Sequence, residues 1–302
     1  MRVVLVAEEA AGVHALRRLA AREENLVAVL SGGLPERGKG VPSHAAELGL
    51  DLLDSKLVTE PGFAEWLRER EVDLLVNVHS ILNPDPAVLA APRIGAFNMH
   101  PGPLPTYAGF NAPSWAIAEG ETRHAVTVHR MVAEMDAGPI AYEAWFEIAP
   151  EDTGLRVAAA GVMAGLPLLD RLLDDAAGSG IPAREQGREG WRFFGFEVPH
   201  EGRLPWELGA KRVADLVRAA DYAPFESPWG AFATSVEGAE VEVLRAVTTG
   251  EPSAARPGTV GPPREGAALV SAGDEWVAVE RCRRDGTAAE PAEALPAGAV
   301  CS

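Results

Sequence analysis

Asn98 and His100 stand two residues apart in Phe97-Asn98-Met99-His100, and a third polar residue, Asp136, follows in Met135-Asp136-Ala137-Gly138-Pro139-Ile140. On an extended segment, residues two apart point to one face. Pro101-Gly102-Pro103-Leu104-Pro105 comes directly after His100, and no strand continues through such a run. The pair therefore sits where a strand ends, and in an α/β sheet ligands bind at the carboxyl ends of strands. Asn, His and Asp converging on one point suit acyl transfer. The Asn amide donates to a developing oxyanion, the His donates or shuttles a proton, and the Asp orients and charges the His.

The surrounding sequence has the elements needed to position these groups. Through about residue 150, strand-like and helix-like patterns alternate. Residues 3–7 and 26–30 are short apolar runs of the buried parallel-strand type, with His14, Leu16, Leu19 and Ala20 near helical spacing between them. Pro42 opens a helix that Gly49 ends. A helix with Phe63, Trp66 and Leu67 precedes a strand over 72–78, and a helix over 84–89 precedes the strand 94–99 that delivers Asn98 and His100. Asn111 is expected to cap a helix with Pro113 in its first turn. Strands over 126–131 and 140–148 flank the Asp136 turn, and a helix over 153–177 follows.

The segment 178–203 is rich in Gly, Pro and charge around an aromatic run, Trp191 to Phe196, and reads as a linker with one docked strand. An amphipathic helix over 206–221 leads into short strands at 231–236, 241–246, 258–260, 267–270 and 276–280, the pattern of a small β-barrel. After Gly286 comes an Ala/Pro/Gly-rich tail. The expected architecture is α/β: a Rossmann-like parallel-sheet domain over 1–180, a linker over 181–205 and a C-terminal β-barrel domain over 206–302.

Asn98, His100, Pro101, Leu104, Pro105 and Gly109 together fit the pattern Asn-x-His-Pro-(Ser/Gly)-x-Leu-Pro-x-x-x-Gly, and Asp136 with Gly138 fits the Asp-x-Gly that follows it. Thr127-Val128-His129 stands where Thr-x-His is frequent. On these residues the chain resembles the folate-dependent formyltransferases, over about residues 1–285. Ala125 replaces a usual Gly, and Gly102-Pro103-Leu104-Pro105 replaces the commoner Ser-Leu-Leu-Pro. The resemblance implies N10-formyltetrahydrofolate as co-substrate, Asn98, His100 and Asp136 as the catalytic set, and an oligonucleotide-binding-like barrel at the C-terminus. It places the folate against Val78, His79, Ser80, Ile81 and Leu82 on one wall, with Val132, Met135, Ala137 and Gly138 on the other and Leu104 beside them. Tyr107, Gly109 and His129 fall on the acceptor side, although His129 read by itself is equally a core histidine bonded to backbone. Trp115 and Trp229 read as packing residues.

Composition narrows the acceptor. The chain carries 44 acidic and 27 basic residues, a formal net charge of −17, and the excess is spread: 28 against 17 up to His200 and 16 against 10 from Glu201 onward. A tRNA-binding protein needs a basic stripe to neutralise phosphates. Near residues 35–45 only Arg37 and Lys39 are basic. The Ala7-Glu8-Glu9-Ala10-Ala11-Gly12 junction sets two carboxylates where a phosphate cradle would sit, and Ser31-Gly32-Gly33 lacks a phosphate-loop pattern, which together argue against glycinamide ribonucleotide as the acceptor. Nucleic acid is therefore not expected as a partner. A small amine, an amino sugar or amino-acid derivative, is.

Methionyl-tRNA formyltransferase is the competing reading, and a formyltetrahydrofolate hydrolase or a non-catalytic folate-binding module are readings of other classes. The two cysteines, Cys282 and Cys301, and seven scattered histidines offer no disulfide framework and no metal site. No signal-peptide layout or apolar run of membrane-spanning length occurs, so a cytoplasmic enzyme is expected, with a homodimer through the barrel edge as its oligomeric option.

Overall fold

A computed structural model describes residues 1–22, 25–32 and 39–302. Gly33 and Arg37, singled out above, lie outside the described residues. The described residues divide into two units: 1–109, 123–146 and 159–194 form the first, and 110–122, 147–158 and 195–302 the second.

The first unit is built on a seven-stranded sheet. Its strands are β1 (Arg2–Ala7), β2 (Asn25–Ser31), β3 (Leu52–Asp54), β4 (Leu74–Val78), β5 (Gly95–His100), β7 (Arg123–Arg130) and β8 (Ile140–Glu147), in the order β3-β2-β1-β4-β5-β7-β8. A two-residue strand, β6 (Ala108–Gly109), stands apart and pairs in parallel with β9 (Phe193–Phe194). The first five sheet strands run parallel. β7 is antiparallel to β5, with Asn98 opposite His129 and His100 opposite Thr127.

Alternation along the strands gives the sheet two buried faces. Val3, Leu5, Leu74, Val76, Phe97 and Met99 share one core with α1 (Glu9–Ala21), α2 (Val41–Glu47) and the later turns of α6 (Gly154–Ala177), through Leu16, Val41 and Leu169. Val4, Val6, Leu30, Leu75 and Ala96 share the other with α3 (Phe63–Glu69) and α4 (Pro86–Leu89), through Leu67 and Val88. Gly165 lets α6 press on the sheet, since a Cβ there would stand 2.6 Å from the Met99 sulfur.

The second unit contains α5 (Ala112–Ala118), α7 (Ala210–Ala219) and a five-stranded antiparallel sheet of β10 (Phe232–Val236), β11 (Ala239–Pro252), β12 (Ala268–Ser271), β13 (Glu275–Arg284) and β14 (Thr287–Ala289). The sheet closes on itself. Val260 bridges Val270 of β12, Thr259 bridges Val300, and Cys301 bridges Val236 of β10. Closure leaves β10 and β12 without open edges. The stretch after Gly286 thus departs from the tail expected of it: it supplies β14, the short helix α8 (Pro291–Ala294) and the closing residues. Its Ala and Pro carry no strand pattern, because the pairing comes from partners far away in sequence.

A second departure concerns Asn111. It stands at the N-cap of α5 with φ 56°, and its side chain makes no capping bond. Asn suits that position by tolerating the left-handed region.

Deleting 299–302 removes the pairs Val260 N–H to Ala299 O (2.9 Å), Cys301 N–H to Gly258 O (2.8 Å) and both exchanged bonds between Ser235 and Ser302 (2.8 and 3.0 Å). At roughly 0.5–1.5 kcal/mol for each backbone bond, we expect the deletion to destabilise the second unit by about 2–6 kcal/mol. Thermal unfolding followed by circular dichroism checks this; an unchanged midpoint would show that the closing residues carry no stability.

Candidate active site

His100 is the last residue of β5, and the loop after it is stapled to β7. The Thr127 hydroxyl donates to Gly102 O at 2.7 Å and accepts from Leu104 N–H at 3.4 Å. His124 Nε2 lies 2.9 Å from Pro101 O, and Tyr107 N–H donates to Pro103 O at 2.9 Å. Gly109 ends the loop at φ 93°, where a Cβ would stand 2.1 Å from Phe194 O, so only glycine fits.

Asp136 sits on the turn between β7 and β8 at φ 53°, with Arg130 N–H donating to Pro139 O at 2.9 Å across its base. A Cβ at Gly138 would stand 1.9 Å from Arg130 O, which explains the glycine of Asp-x-Gly.

The two segments meet on Asp136. Its Oδ2 accepts from Gly109 N–H at 2.8 Å and lies 3.5 Å from His100 Nδ1. Its Oδ1 lies 3.3 Å from His129 Nε2 and 3.4 Å from Asn98 Nδ2. Asp136 is 7% exposed, His100 and His129 2% each, and Asn98 is half-buried, so the cluster opens at Asn98.

Burial alone would raise the Asp136 carboxyl. Attraction to a protonated His100, the His129 imidazole and the Gly109 N–H outweigh it and hold the group well below the usual carboxylate range, ionised. For His100 the balance goes the other way. Burial pushes it down, more than Asp136 and the Tyr107 carbonyl raise it. His100 is therefore neutral at rest, which corrects the expectation that Asp136 charges it: the carboxylate is close enough to attract a proton but the imidazole is too far from water to keep one. Its Nε2 lies 2.7 Å from Tyr107 O, an acceptor, so Nε2 carries the hydrogen and Nδ1 presents its lone pair to Asp136.

The remaining expected residues separate into groups. Val78 ends β4, and 79–82 form the loop after it; Asn83 Nδ2 donates to Ala133 O at 3.4 Å, joining this loop to 132–137. Ile81 and Val132 expose apolar side chains, Ser80, Leu82, Met135 and Ala137 are half-buried, and Gly138 is buried. His79 Nδ1 lies 3.3 Å from Glu9 Oε2. Leu104 packs with Ala108 and Ile140. The Tyr107 ring stacks on Phe194 and meets His124 edge-on, and its carbonyl oxygen lies 2.7 Å from His100 Nε2.

Four contributors lacked a sequence argument. Gln186, in the expected linker, donates to both Asp136 O (2.7 Å) and Gly138 O (2.6 Å), and Arg188 pairs with Glu134 through two bonds of 2.9 Å. His124 anchors Pro101. Asn77 donates to Asn98 Oδ1 at 3.0 Å. Only Asn77 left a trace, as the one polar residue in Leu74-Leu75-Val76-Asn77-Val78.

The geometry is matched by relationship. The Formyl transferase family model matches residues 3–165, and the model of the Formyl transferase C-terminal domain matches 198–299. The chain belongs to the formyl transferase family. Methionyl-tRNA formyltransferase of Sorangium cellulosum (strain So ce56) is 30% identical over 270 residues, covering 88% of this chain and 84% of that relative. The fold is shared with the N-formyltransferase from Helicobacter canadensis solved with folinic acid and dTDP-3-aminofucose, at TM-score 0.69 and 15% identity over 92% of this chain and 98% of that one. It is also shared with HypX from Aquifex aeolicus solved with tetrahydrofolic acid, at TM-score 0.66 and 19% identity over 98% of this chain and 47% of that one. This formyltransferase is thus an enzyme of formyl transfer on an α/β sheet domain followed by a small barrel. Among its described residues no group of three or more His, Cys, Asp or Glu is placed to hold a metal, and no helix is long and apolar enough to cross a membrane.

His124 provides a pH test of the site's packing. Burial pushes it down to about 4 from an ordinary 6.5. A folded pKa below the unfolded one means the unfolded chain binds more protons, so stability is full above pH 6.5 and declines as pH falls towards 4. The shift corresponds to about 3 kcal/mol. We expect denaturant midpoints to drop over that window and the drop to shrink in His124→Gln; an equal drop in the variant would assign the acid sensitivity elsewhere.

Proposed function

We propose that this enzyme moves the formyl group of N10-formyltetrahydrofolate to an amine of a small biosynthetic molecule, an amino sugar or amino-acid derivative. The observation that carries the reading is the convergence of an Asn98 amide, a neutral His100 and an ionised Asp136 at the carboxyl end of β5. The amine nitrogen bonds to the formyl carbon, the formyl oxygen becomes negative, and the carbon–N10 bond then breaks. Asn98 Nδ2–H donates to that oxygen. The proton shed by the amine goes to the His100 Nδ1 lone pair, where Asp136 stabilises the imidazolium, and passes on to N10 as it leaves.

Folate suits the two joined loops. Exposed Ile81 and Val132 supply apolar contact for a flat ring, and the half-buried backbone around Ser80, Met135 and Ala137 supplies hydrogen bonds. The structural relatives were solved with folate derivatives, which supports the same donor here. In this reading 1–180 carry the chemistry, 181–205 connect and also hold the Asp136 turn through Gln186, and 206–302 form the barrel module.

The net charge of −17 supports a small acceptor, as does the aminosugar ligand of the Helicobacter canadensis enzyme. The 30% identical relative supports methionyl-tRNA instead. Isotope-labelled formyl offered with methionyl-tRNA and with pools of amino sugars and amino acids decides between them by mass. Label on a small amine alone is expected; label on tRNA would overturn the acceptor assignment, and free formate alone the transferase assignment. Asn98→Ala should lower kcat about 10²–10³-fold, and Asp136→Asn should abolish turnover with the fold intact. Near-normal kcat in Asp136→Asn would remove Asp136 from the mechanism.

A further inference from the structure

Asn77, Asn98 and His129 occupy one row across three adjacent strands, Asn77 opposite Asn98 on β4 and β5, and Asn98 opposite His129 on β5 and β7. Asn77 is 4% exposed, on a central strand whose other neighbour at that level is Val6. A buried amide in such a place must find its partners within the protein. The Asn77 Nδ2 hydrogens go to Ser80 O at 3.2 Å and Asn98 Oδ1 at 3.0 Å.

The direction of this row is set from both ends. Ser80 O is a backbone carbonyl and only accepts, so Asn77 must turn its NH₂ that way, and the second hydrogen then meets Asn98 Oδ1. At the far end, Asp136 Oδ1, a carboxylate oxygen that only accepts, lies 3.4 Å from Asn98 Nδ2. Between them, Asn98 turns Oδ1 to Asn77 and one Nδ2 hydrogen to Asp136 Oδ1 (3.4 Å), which leaves the other for the reacting oxygen, with His129 Nε2 3.3 Å away. The two ends of an amide are nearly the same size, so sterics alone does not choose which one faces the cluster.

We propose that Asn77 is a positioning residue for formyl transfer, and that its bond to Asn98 Oδ1 keeps the donor end of the Asn98 amide turned toward the reacting oxygen. The proposal rests on the reading of Asn98 as the oxyanion donor. With Asn77 present, a flipped Asn98 would set Oδ1 against the Asp136 carboxylate and Nδ2 against the Asn77 NH₂, two repulsive contacts in place of two attractive ones.

Three variants separate this role from packing, measured in the full chain with N10-formyltetrahydrofolate and whichever acceptor takes label in the transfer assay, with 5-formyltetrahydrofolate as a binding probe. Asn77→Val and Asn77→Asp both lose the bond to Ser80 O, so both should weaken the probe's Kd alike. They differ in what they show Asn98. Valine leaves its orientation to Asp136, and kcat should stay within about tenfold. A carboxylate at 77 accepts from Asn98 Nδ2 and draws the amide round, and kcat should fall about 10²–10³-fold, the loss of one oxyanion donor. Equal kcat in the two variants would overturn the proposal. If Asn77→Asp does not fold, Asn77→Thr replaces it: its hydroxyl can donate to Asn98 Oδ1 and should hold kcat above that of Asn77→Val, and a kcat no higher would overturn the proposal. Asn98→Ala run in parallel tells the two failures apart. Full kcat there removes the oxyanion reading itself, whereas a loss there with matching Asn77 variants removes only the role of Asn77.

Discussion

An ionised carboxylate in a nearly dry place is the constraint around which the first unit is arranged. Asp136 is almost fully buried, and burying an unpaired charge costs several kcal/mol. The carboxylate persists because a backbone N–H from Gly109, the His129 imidazole and an Asn98 amide hydrogen face it. Each of these comes from a different segment, so keeping the charge requires β5, β7 and two loops to be in place together. The same burial leaves His100 neutral beside the carboxylate.

Loops hold this arrangement only because they are fastened to regular structure. Thr127 and His124 of β7 pin the loop after His100 through its carbonyls. The segment 184–194 fastens both halves of the site: Arg184 bridges Ile140, Gln186 holds the Asp136 turn, and β9 pairs with β6 next to Gly109. Buried carbonyls are expensive to leave unpaired, and here satisfying them also sets the geometry. Glycines at 109 and 138 occur where two backbones approach too closely for any Cβ.

The barrel shows a related economy. Its five named strands do not close a cylinder by themselves; two irregular stretches, around 258–261 and 298–302, complete it by backbone bonds. The acidic excess is present in both halves of the chain.

By itself the sequence determined the elements and the chemistry. Continuous apolar runs marked buried parallel strands, because a strand covered on both faces has no polar side. Asn98, His100 and Asp136 were legible because their spacing places them at strand ends beside Pro and Gly that allow nothing regular. Only the tertiary structure decided how those groups behave. The neutrality of His100 follows from burial, and burial is a sum over distant segments. Gln186 and His124 gave no signal, since a residue that holds a carbonyl fifty or twenty-three positions away leaves no local pattern. Asn77 was visible as a polar residue in an apolar strand, but its bond to Asn98 required the strand register. The residues that close the barrel read as a tail for the same reason: backbone pairing depends on where the partner lies, and side-chain pattern does not encode it.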